Sequence, residues 1–152
     1  AKPWIFCENA DHEGMSLIML ENIVALKGLG LSGNQIGMAV QVFAMYVTDQ
    51  DGIVCFNPKI VGESDESVIM KEGCLSFPNL ILRIKRPKSI VVRYQNENQE
   101  WISNQLDGYY ARGFLHELDH LNGVLFTDNI SPLLLNIAKR RHAKLAKRRE
   151  KR

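Results

Sequence analysis

The sequence lacks any apolar run that approaches the ~20 residues of a membrane-spanning helix. Its 152 residues contain no internal repeat and no low-complexity linker. The first twenty residues, which include Glu8, Asp11, His12 and Glu13, do not form the apolar stretch of a secretory signal. We therefore expect one domain, because two would be cramped in this length, with neither a membrane segment nor a secretory signal.

Cysteine is also scarce, since Cys7, Cys55 and Cys74 are the three in the chain. An odd number of cysteines without a secretory signal argues against a disulfide framework and favours a reducing compartment such as the cytosol. Cys55 lies within an apolar, β-rich segment, so we expect it in the core. We assign no role to Cys7, which leaves Cys74 as a thiol that could bind a metal.

Acidic side chains are nearly missing from the C-terminal segment. Residues 139–152 hold nine Lys or Arg side chains and one Glu, a net charge of +8, whereas residues 1–138 carry 10 basic and 16 acidic side chains. So dense a cluster of cations favours contact with a polyanion. The alternative is a solvated helix that docks through its apolar residues, which are Leu133, Leu134, Ile137, Ala138 and Leu145.

Apolar periodicity predicts the secondary structure. A helix is expected over residues 15–27, with Asp11 and His12 at its start. Short strands are expected at residues 38–47, 53–61, 66–71, 80–85, 89–95 and 100–106, with a loop at residues 72–78. Pro58 indicates a sheet edge or a bulge within the second of these strands.

Two further helices are expected after the strands. One covers residues 108–121, with Asp107 as its N-cap and a stop at Asn122 and Gly123, and the other runs from Pro132 to about residue 149. This order of elements predicts an α+β fold with mostly antiparallel sheets rather than an alternating βαβ fold. The body would cover residues 1–138, with residues 139–152 as a basic helical extension of the same domain.

The strongest local pattern is HExxH, in which His116 and His120 flank Glu117. Residues four apart share a helix face, so both imidazoles could bind one metal ion, and the pattern is typical of metal-activated hydrolysis with Glu as general base. Asp119 flanks the same face, but its shorter side chain suits a supporting salt bridge. A chance match on a solvated helix is the alternative, weakened by the apolar residues Phe114, Leu115, Leu118 and Leu121.

A third metal ligand must come from elsewhere in the chain. Metzincins would place a histidine at position 126, which is a phenylalanine here. Asp128 is a downstream carboxylate that could serve, whereas His142 lies among cations. Cys74 is the better candidate, because a thiolate suits a borderline-soft metal. Three protein ligands with an open fourth position indicate a catalytic site, whereas a fourth ligand from Asp119 or Asp128 would indicate a structural one.

Residues 28–33 match the dinucleotide pattern GxGxxG. That function needs a strand before the pattern and a helix after it, and here the predicted order is reversed. The glycines instead favour an extended segment that a ligand's backbone approaches closely. Gln35 follows directly, and its amide could donate a hydrogen bond to an oxyanion.

Three segments together resemble the peptide deformylase family, whose members carry GΦGΦAAxQ, EGCΦS and HExDH in this order, with Φ an apolar residue. Here they read GLGLSGNQ at residues 28–35, EGCLS at 72–76 and HELDH at 116–120. The similarity extends from the first helix to about Pro132. It implies a hydrolase that removes the formyl group from the initiator methionine of nascent polypeptides, with antiparallel sheets around the helix that carries HExxH and with a C-terminal helix.

The resemblance also implies roles for individual residues. One divalent ion, natively Fe(II) with zinc or nickel as substitutes, would be held by Cys74, His116 and His120. Hydroxide activated by the ion would attack the formyl carbon, with Glu117 as general acid and base and with the Gln35 amide and the Leu75 N–H as oxyanion hole. The substrate would contact Leu29, Gly30, Arg86 and Gly113.

The resemblance further implies a monomer that works where translation starts with formyl-methionine, in a cytoplasm, an organelle or a host cell. The basic residues 139–152 would bind the ribosome. Ser32 and Gly33 replace the paired alanines of the first pattern, and Leu115 replaces a glutamine. These departures concern substrate preference and pocket shape. Two rival functions are a peptidase that cuts internal bonds, for which the chain is short, and a ribosome-binding module with a structural metal.

Overall fold

The computed structural model describes residues 1–6, 10–48 and 50–149, and only the backbone for residues 145–149. Within these residues the α-helices are α1 His12–Leu26, α2 Gly108–Leu121 and α3 Pro132–Arg149, and short 3₁₀ helices cover Gly33–Ile36 and Phe126–Asn129. The strands are β1 Gly30–Ser32, β2 Val42–Tyr46, β3 Gly52–Glu63, β4 Ser67–Cys74, β5 Phe77–Pro87, β6 Ser89–Gln95 and β7 Trp101–Asp107. Cys7 lies outside the described residues.

The strands form two antiparallel sheets. Five strands pair in the order β1-β2-β3-β6-β7, and β4 pairs with β5 in a separate hairpin. α2 packs against the five-stranded sheet, where Phe114 contacts Phe43 edge to face in a core that also contains Cys55. The α+β prediction is therefore confirmed, and so is the buried place of Cys55.

The two other helices cover separate apolar clusters. Met19 and Ile23 of α1 pack with Leu31, Val42 and Phe56, and α3 packs on the β4–β5 hairpin through Leu135 and Ala138. Three of the apolar residues that could have docked α3, namely Leu133, Leu134 and Ile137, are exposed instead. None of the helices that the structure describes combines the length and apolar character needed to cross a membrane.

Helix α2 begins and ends where the sequence predicts, next to Asp107 and Asn122. Asp107 is the N-cap residue in extended conformation, although its side chain makes no capping hydrogen bond. Asn122 is the C-cap, and Gly123 follows with φ +78°. A left-handed residue after the last turn favours glycine, because a Cβ is disfavoured there.

The prediction of a loop at residues 72–78 is wrong for most of these residues. β4 continues to Cys74 and β5 starts at Phe77, so the connection is a turn at residues 75–76. Along β4 the buried side chains of Glu72 and Cys74 alternate with the outward Gly73, as strand geometry requires. At Pro58 the predicted irregularity is confirmed, because the β3–β6 register shifts between Phe56 and Lys59.

Candidate active site

The end of β4 and one face of α2 bring three potential metal ligands together. Within α2 the rings of His116 and His120 lie 4.8 Å apart, centre to centre. The Sγ of Cys74 lies 3.2 Å from Nε2 of His120. One ligand atom from each of the three residues falls within 4.8 Å of the others, so the structure assembles the set that the sequence suggested.

The donor set fits a divalent metal ion. One sulfur and two imidazole nitrogens suit borderline metals such as Zn²⁺ or Fe²⁺. Burial would raise the pKa of Cys74, but hydrogen bonds with His116 and His120 outweigh it and lower that pKa to about 5. The thiol is therefore ionised at neutral pH, as a metal ligand must be.

The other carboxylates considered as ligands are engaged elsewhere. Oδ2 of Asp128 accepts a hydrogen bond from the backbone N–H of Leu125 at 2.9 Å. Oδ2 of Asp119 accepts one from Arg86 at 2.8 Å, which is the salt bridge expected for this residue. Among the residues that the structure describes, the ligand group therefore contains three members, and neither aspartate completes a fourth position.

Glu72 lies behind the ligands at the centre of a buried ionic cluster. Its Oε1 contacts Arg86 Nε and Arg112 Nη1, each at 2.6 Å, and its Oε2 lies 3.2 Å from Nδ1 of His116. Burial would raise the pKa of Glu72, but hydrogen bonds with His116 and the two arginines lower it to about 2. An ionised Glu72 can accept Nδ1–H of His116 and so leave Nε2 free for a metal.

Arg86 does not border the cleft, and the expectation that it lies beside the substrate is corrected. Its guanidinium is buried between Glu72 and Asp119. Alternate β5 side chains, among them Ile84 and Arg86, point inward, so the arginine serves the ionic cluster. The arginine that does line the cleft is Arg112.

Glu117 is buried on the same helix, next to the ligands. Its Oε2 accepts a hydrogen bond from Ser32 Oγ at 2.8 Å. Burial raises the pKa of Glu117 to about 6, although the charge of His116 and the bond from Ser32 act in the opposite direction. A carboxyl group with such a pKa can gain or lose a proton near neutral pH.

Gln35 reaches the ligand group from the 3₁₀ helix Gly33–Ile36. Its Oε1 accepts the backbone N–H of Ser32 at 2.9 Å, and its Nε2 lies 3.6 Å from Cys74 Sγ and 3.0 Å from Ser76 Oγ. The amide N–H groups thus face the ligands. Leu75, whose N–H is the other candidate donor, follows Cys74 in the turn and lines the same cleft.

Several of these groups border one cleft of about 400 Å³. Of the predicted site residues, those that line it are Leu29, Gly30, Gln35, Cys74, Leu75, Gly113, His116 and Glu117. His120, the third potential metal ligand, lies behind them. The sequence prediction missed Tyr109 and Ile81 in the cleft wall. It also missed that Glu72 contacts His116 and the two buried arginines. A prediction of β4 as one strand through Cys74 would have placed Glu72 on the same inward face as Cys74, because residues two apart share a face.

The family model for polypeptide deformylase matches residues 4–135. This chain belongs to the peptide deformylase family. Peptide deformylases are metal-dependent enzymes that remove the N-formyl group from nascent polypeptides, so the predicted enzyme class is confirmed. The match includes every residue of the ligand group and of the cleft.

Individual peptide deformylases show the same relationship. The chain is 41% identical over 129 residues to the peptide deformylase of Thermotoga neapolitana. This match covers 85% of this chain and 78% of the relative. The crystal structure of the Thermotoga maritima peptide deformylase matches with a TM-score of 0.80 at 39% identity, over 87% of this chain and 88% of that one. The crystal structure of peptide deformylase 1B of Arabidopsis thaliana, in complex with an inhibitor, matches with a TM-score of 0.84 at 32% identity. This match covers 99% of this chain and 85% of that one.

Proposed function

We propose that this chain hydrolyses the formyl amide of N-formyl-methionyl polypeptides with one divalent metal ion held by Cys74, His116 and His120. The observation that carries this proposal is the meeting of the three ligands with Glu117 and the Gln35 amide in one cleft. A thiolate and two imidazoles fill three positions and leave room for a water molecule and the substrate. When bound, the ion supplies Lewis-acid activation of water near neutral pH.

The protein groups divide the remaining chemistry between them. Glu117 accepts the proton of the attacking water and delivers it to the leaving amine nitrogen, so that formate and a free N-terminus are released. Gln35 Nε2 and the Leu75 N–H donate hydrogen bonds to the formyl oxygen as negative charge develops there. The buried Glu72 holds the ring of His116 through Nδ1 while these steps occur.

The substrate peptide would lie in extended conformation between two strand edges. β1 is an edge strand of the large sheet, and Leu29 and Gly30 line the cleft. Gly73 of β4 lines the same cleft. A peptide added along such an edge gains backbone hydrogen bonds, and its alternate side chains enter pockets. Gly113 leaves space at the α2 wall for the methionine side chain.

The decisive test is formate release from formyl-Met-Ala-Ser by protein purified anaerobically with Fe(II). We expect robust activity that Glu117→Ala abolishes while the metal stays bound. Glu21→Ala, which removes an exposed carboxylate from α1, is the matched control and should keep full activity. A folded, metal-loaded protein that releases no formate would refute the proposal.

For the metal, we propose Fe(II) as the native ion, with zinc or nickel as substitutes. The mixed sulfur and nitrogen donor set supports a borderline ion over Mg²⁺ or Ca²⁺, which prefer oxygen. Metal analysis of anaerobically purified protein should show about one iron per chain, as three ligands around one open position require. Chelation should abolish activity, and each of the three ions should restore it; restoration by Mg²⁺ alone would contradict the assignment.

We propose that the basic C-terminal helix binds the ribosome. Lys139, Arg140, Arg141 and Lys144 are exposed on α3, next to the exposed Leu133 and Ile137. Cations on an exposed helix can neutralise RNA phosphates, and this binding weakens as salt increases. The side chains of Leu145 and of the cations after it lie outside the described residues.

Co-sedimentation with ribosomes tests this binding. Deleting residues 139–152 should reduce it, and Arg140→Gln with Lys144→Gln should do so in part. Lys59→Gln with Lys88→Gln removes the same charge from β3 and from the β5–β6 turn and serves as the control. All variants should hydrolyse the short formyl-peptide normally. Equal sedimentation of the deletion variant and the intact chain would reject the idea.

We further propose a monomer in a compartment that translates from formyl-methionine, either a cytoplasm or an organelle. The three ligands, Glu117 and Gln35 all come from one chain, so no second copy is needed to complete the cleft. Size-exclusion chromatography with light scattering should give the mass of one chain. A dimer mass at assay concentrations would contradict this expectation.

A further inference from the structure

Ser32 ends β1 with a side chain that is completely buried behind the cleft wall. Its hydroxyl oxygen lies 2.8 Å from Oε2 of Glu117 and 3.0 Å from Oε1 of Gln35. Ser32 is therefore one hydroxyl that touches both the general acid–base group and the oxyanion donor. The family pattern carries alanine here, and this chain carries a hydroxyl in its place.

The strand geometry of β1 explains how Ser32 reaches Glu117. Residues two apart on a strand share a face, so Gly30 and Ser32 both face α2 while Leu31 enters the opposite core. A Cβ at Gly30 would lie 2.5 Å from Oε1 of Glu117. The carboxyl group thus rests on the backbone of Gly30 at one oxygen and meets the hydroxyl of Ser32 at the other.

We propose that Ser32 is a positioning residue that holds the Glu117 carboxyl and the Gln35 amide in one arrangement throughout the reaction. The proposal rests on the proposed function, because it assigns Ser32 a part in that hydrolysis. Ser32 does not line the cleft, so it acts through its two partners rather than on the substrate.

The hydroxyl can serve Glu117 with and without the transferred proton. A serine hydroxyl has one hydrogen to donate and two lone pairs that accept. When Glu117 is a carboxylate, Ser32 donates to Oε2. When Glu117 holds the proton taken from water on Oε1, which lies at Gly30 in the cleft wall, Oε2 still accepts the serine hydrogen. The hydrogen bond from Ser32 is therefore kept in both states without movement of a heavy atom.

The backbone of Ser32 fixes the orientation of Gln35 at the same time. A backbone N–H can only donate, so the side-chain atom 2.9 Å from it must be the amide oxygen of Gln35. The amide nitrogen then faces Cys74 and Ser76 across the cleft. The N–H of Ser32 thus holds the Gln35 amide, while the single hydroxyl hydrogen of Ser32 is donated to Glu117.

Ser32→Ala, assayed with formyl-Met-Ala-Ser, tests the proposal because it removes the hydroxyl and keeps the backbone N–H. We expect kcat to fall about tenfold, the size of a lost hydrogen bond to a charged group. KM should stay within about twofold, because Ser32 lies outside the cleft. Ser32→Thr keeps the hydroxyl and should recover most of kcat. Metal content and Tm should remain close to those of the unaltered chain.

Ser16→Ala is the matched control. Ser16 is a buried serine of α1 whose hydroxyl has no hydrogen-bond partner among the residues that the structure describes, so its removal should leave kcat and KM unchanged. A Ser32→Ala enzyme with unchanged kcat would overturn the positioning role, as would a variant in which KM alone rises, since that indicates a distorted β1. The unaltered chain run in parallel separates the two proposals: if it releases no formate, the proposed function fails first.

Discussion

Glu72→Gln should damage both the stability of the fold and the metal site, because one buried carboxylate holds three partners. The substitution keeps the shape of the side chain but removes its charge. The guanidinium groups of Arg86 and Arg112 are then left buried without the carboxylate that they contact at 2.6 Å. Breaking a buried ion pair in this way costs about 3–5 kcal/mol of unfolding free energy.

The same substitution also loosens His116. Its Nδ1 lies 3.2 Å from Oε2 of Glu72, and a glutamine can present an N–H at that place instead of an acceptor. Loss of the outer partner of a metal-binding histidine lowers metal affinity by about 10- to 100-fold. Urea unfolding measures the first effect, and competition with a chelator of known affinity measures the second.

Glu66→Gln provides the matched comparison. Glu66 forms an ion pair with Lys88 at 2.9 Å, but both side chains are more than half exposed, so this pair should contribute about 1 kcal/mol or less. Metal affinity should not change in this variant. If Glu72→Gln destabilised the protein no more than Glu66→Gln and bound metal equally well, the central role that we give to Glu72 would be refuted.

Two glycines of the cleft give further predictions. Gly30→Ala should reduce kcat about 100-fold in the formate assay, because its Cβ would displace Glu117, and small misplacements of catalytic groups cost this much. Gly62→Ala, whose Cβ would lie 3.6 Å from Val91, should have no effect on kcat. Gly113→Val should raise KM for formyl-Met peptides about tenfold by narrowing the pocket, as one misfitting methylene can. Gly113→Ala should be tolerated, since its Cβ makes ordinary contacts with Leu29 and Met45.

Each of these two glycine predictions has an outcome that would contradict it. Normal kcat in Gly30→Ala would show that the Glu117 carboxyl need not rest on the β1 backbone. An equal rise in KM for formyl-Met and formyl-Ala peptides in Gly113→Val would show that residue 113 does not border the pocket for the first side chain. Circular dichroism and Tm of each variant establish that the fold is retained.

The central elements of the site could be predicted because their signals are local. The four-residue spacing of His116 and His120 has meaning only on a helix, and the residues around it mark that helix from Asp107 to Gly123. Helical periodicity and end signals depend on neighbours within a few residues, so they can be read directly. Cys74 followed from chemistry and from its family pattern, since two histidines alone leave a metal site incomplete.

What the sequence could not reveal depends on contacts between residues far apart in the chain. Glu72 and Arg112 are 40 residues apart, and Ser32 and Glu117 are 85 apart. Arg86 was placed beside the substrate, yet the inward face of β5 aims it at Glu72 and Asp119. A buried charge pairs with whichever opposite charge the packed strands and helices bring within reach. The sequence by itself therefore determined the chemical groups of this site, and the tertiary structure decided which of them support one another.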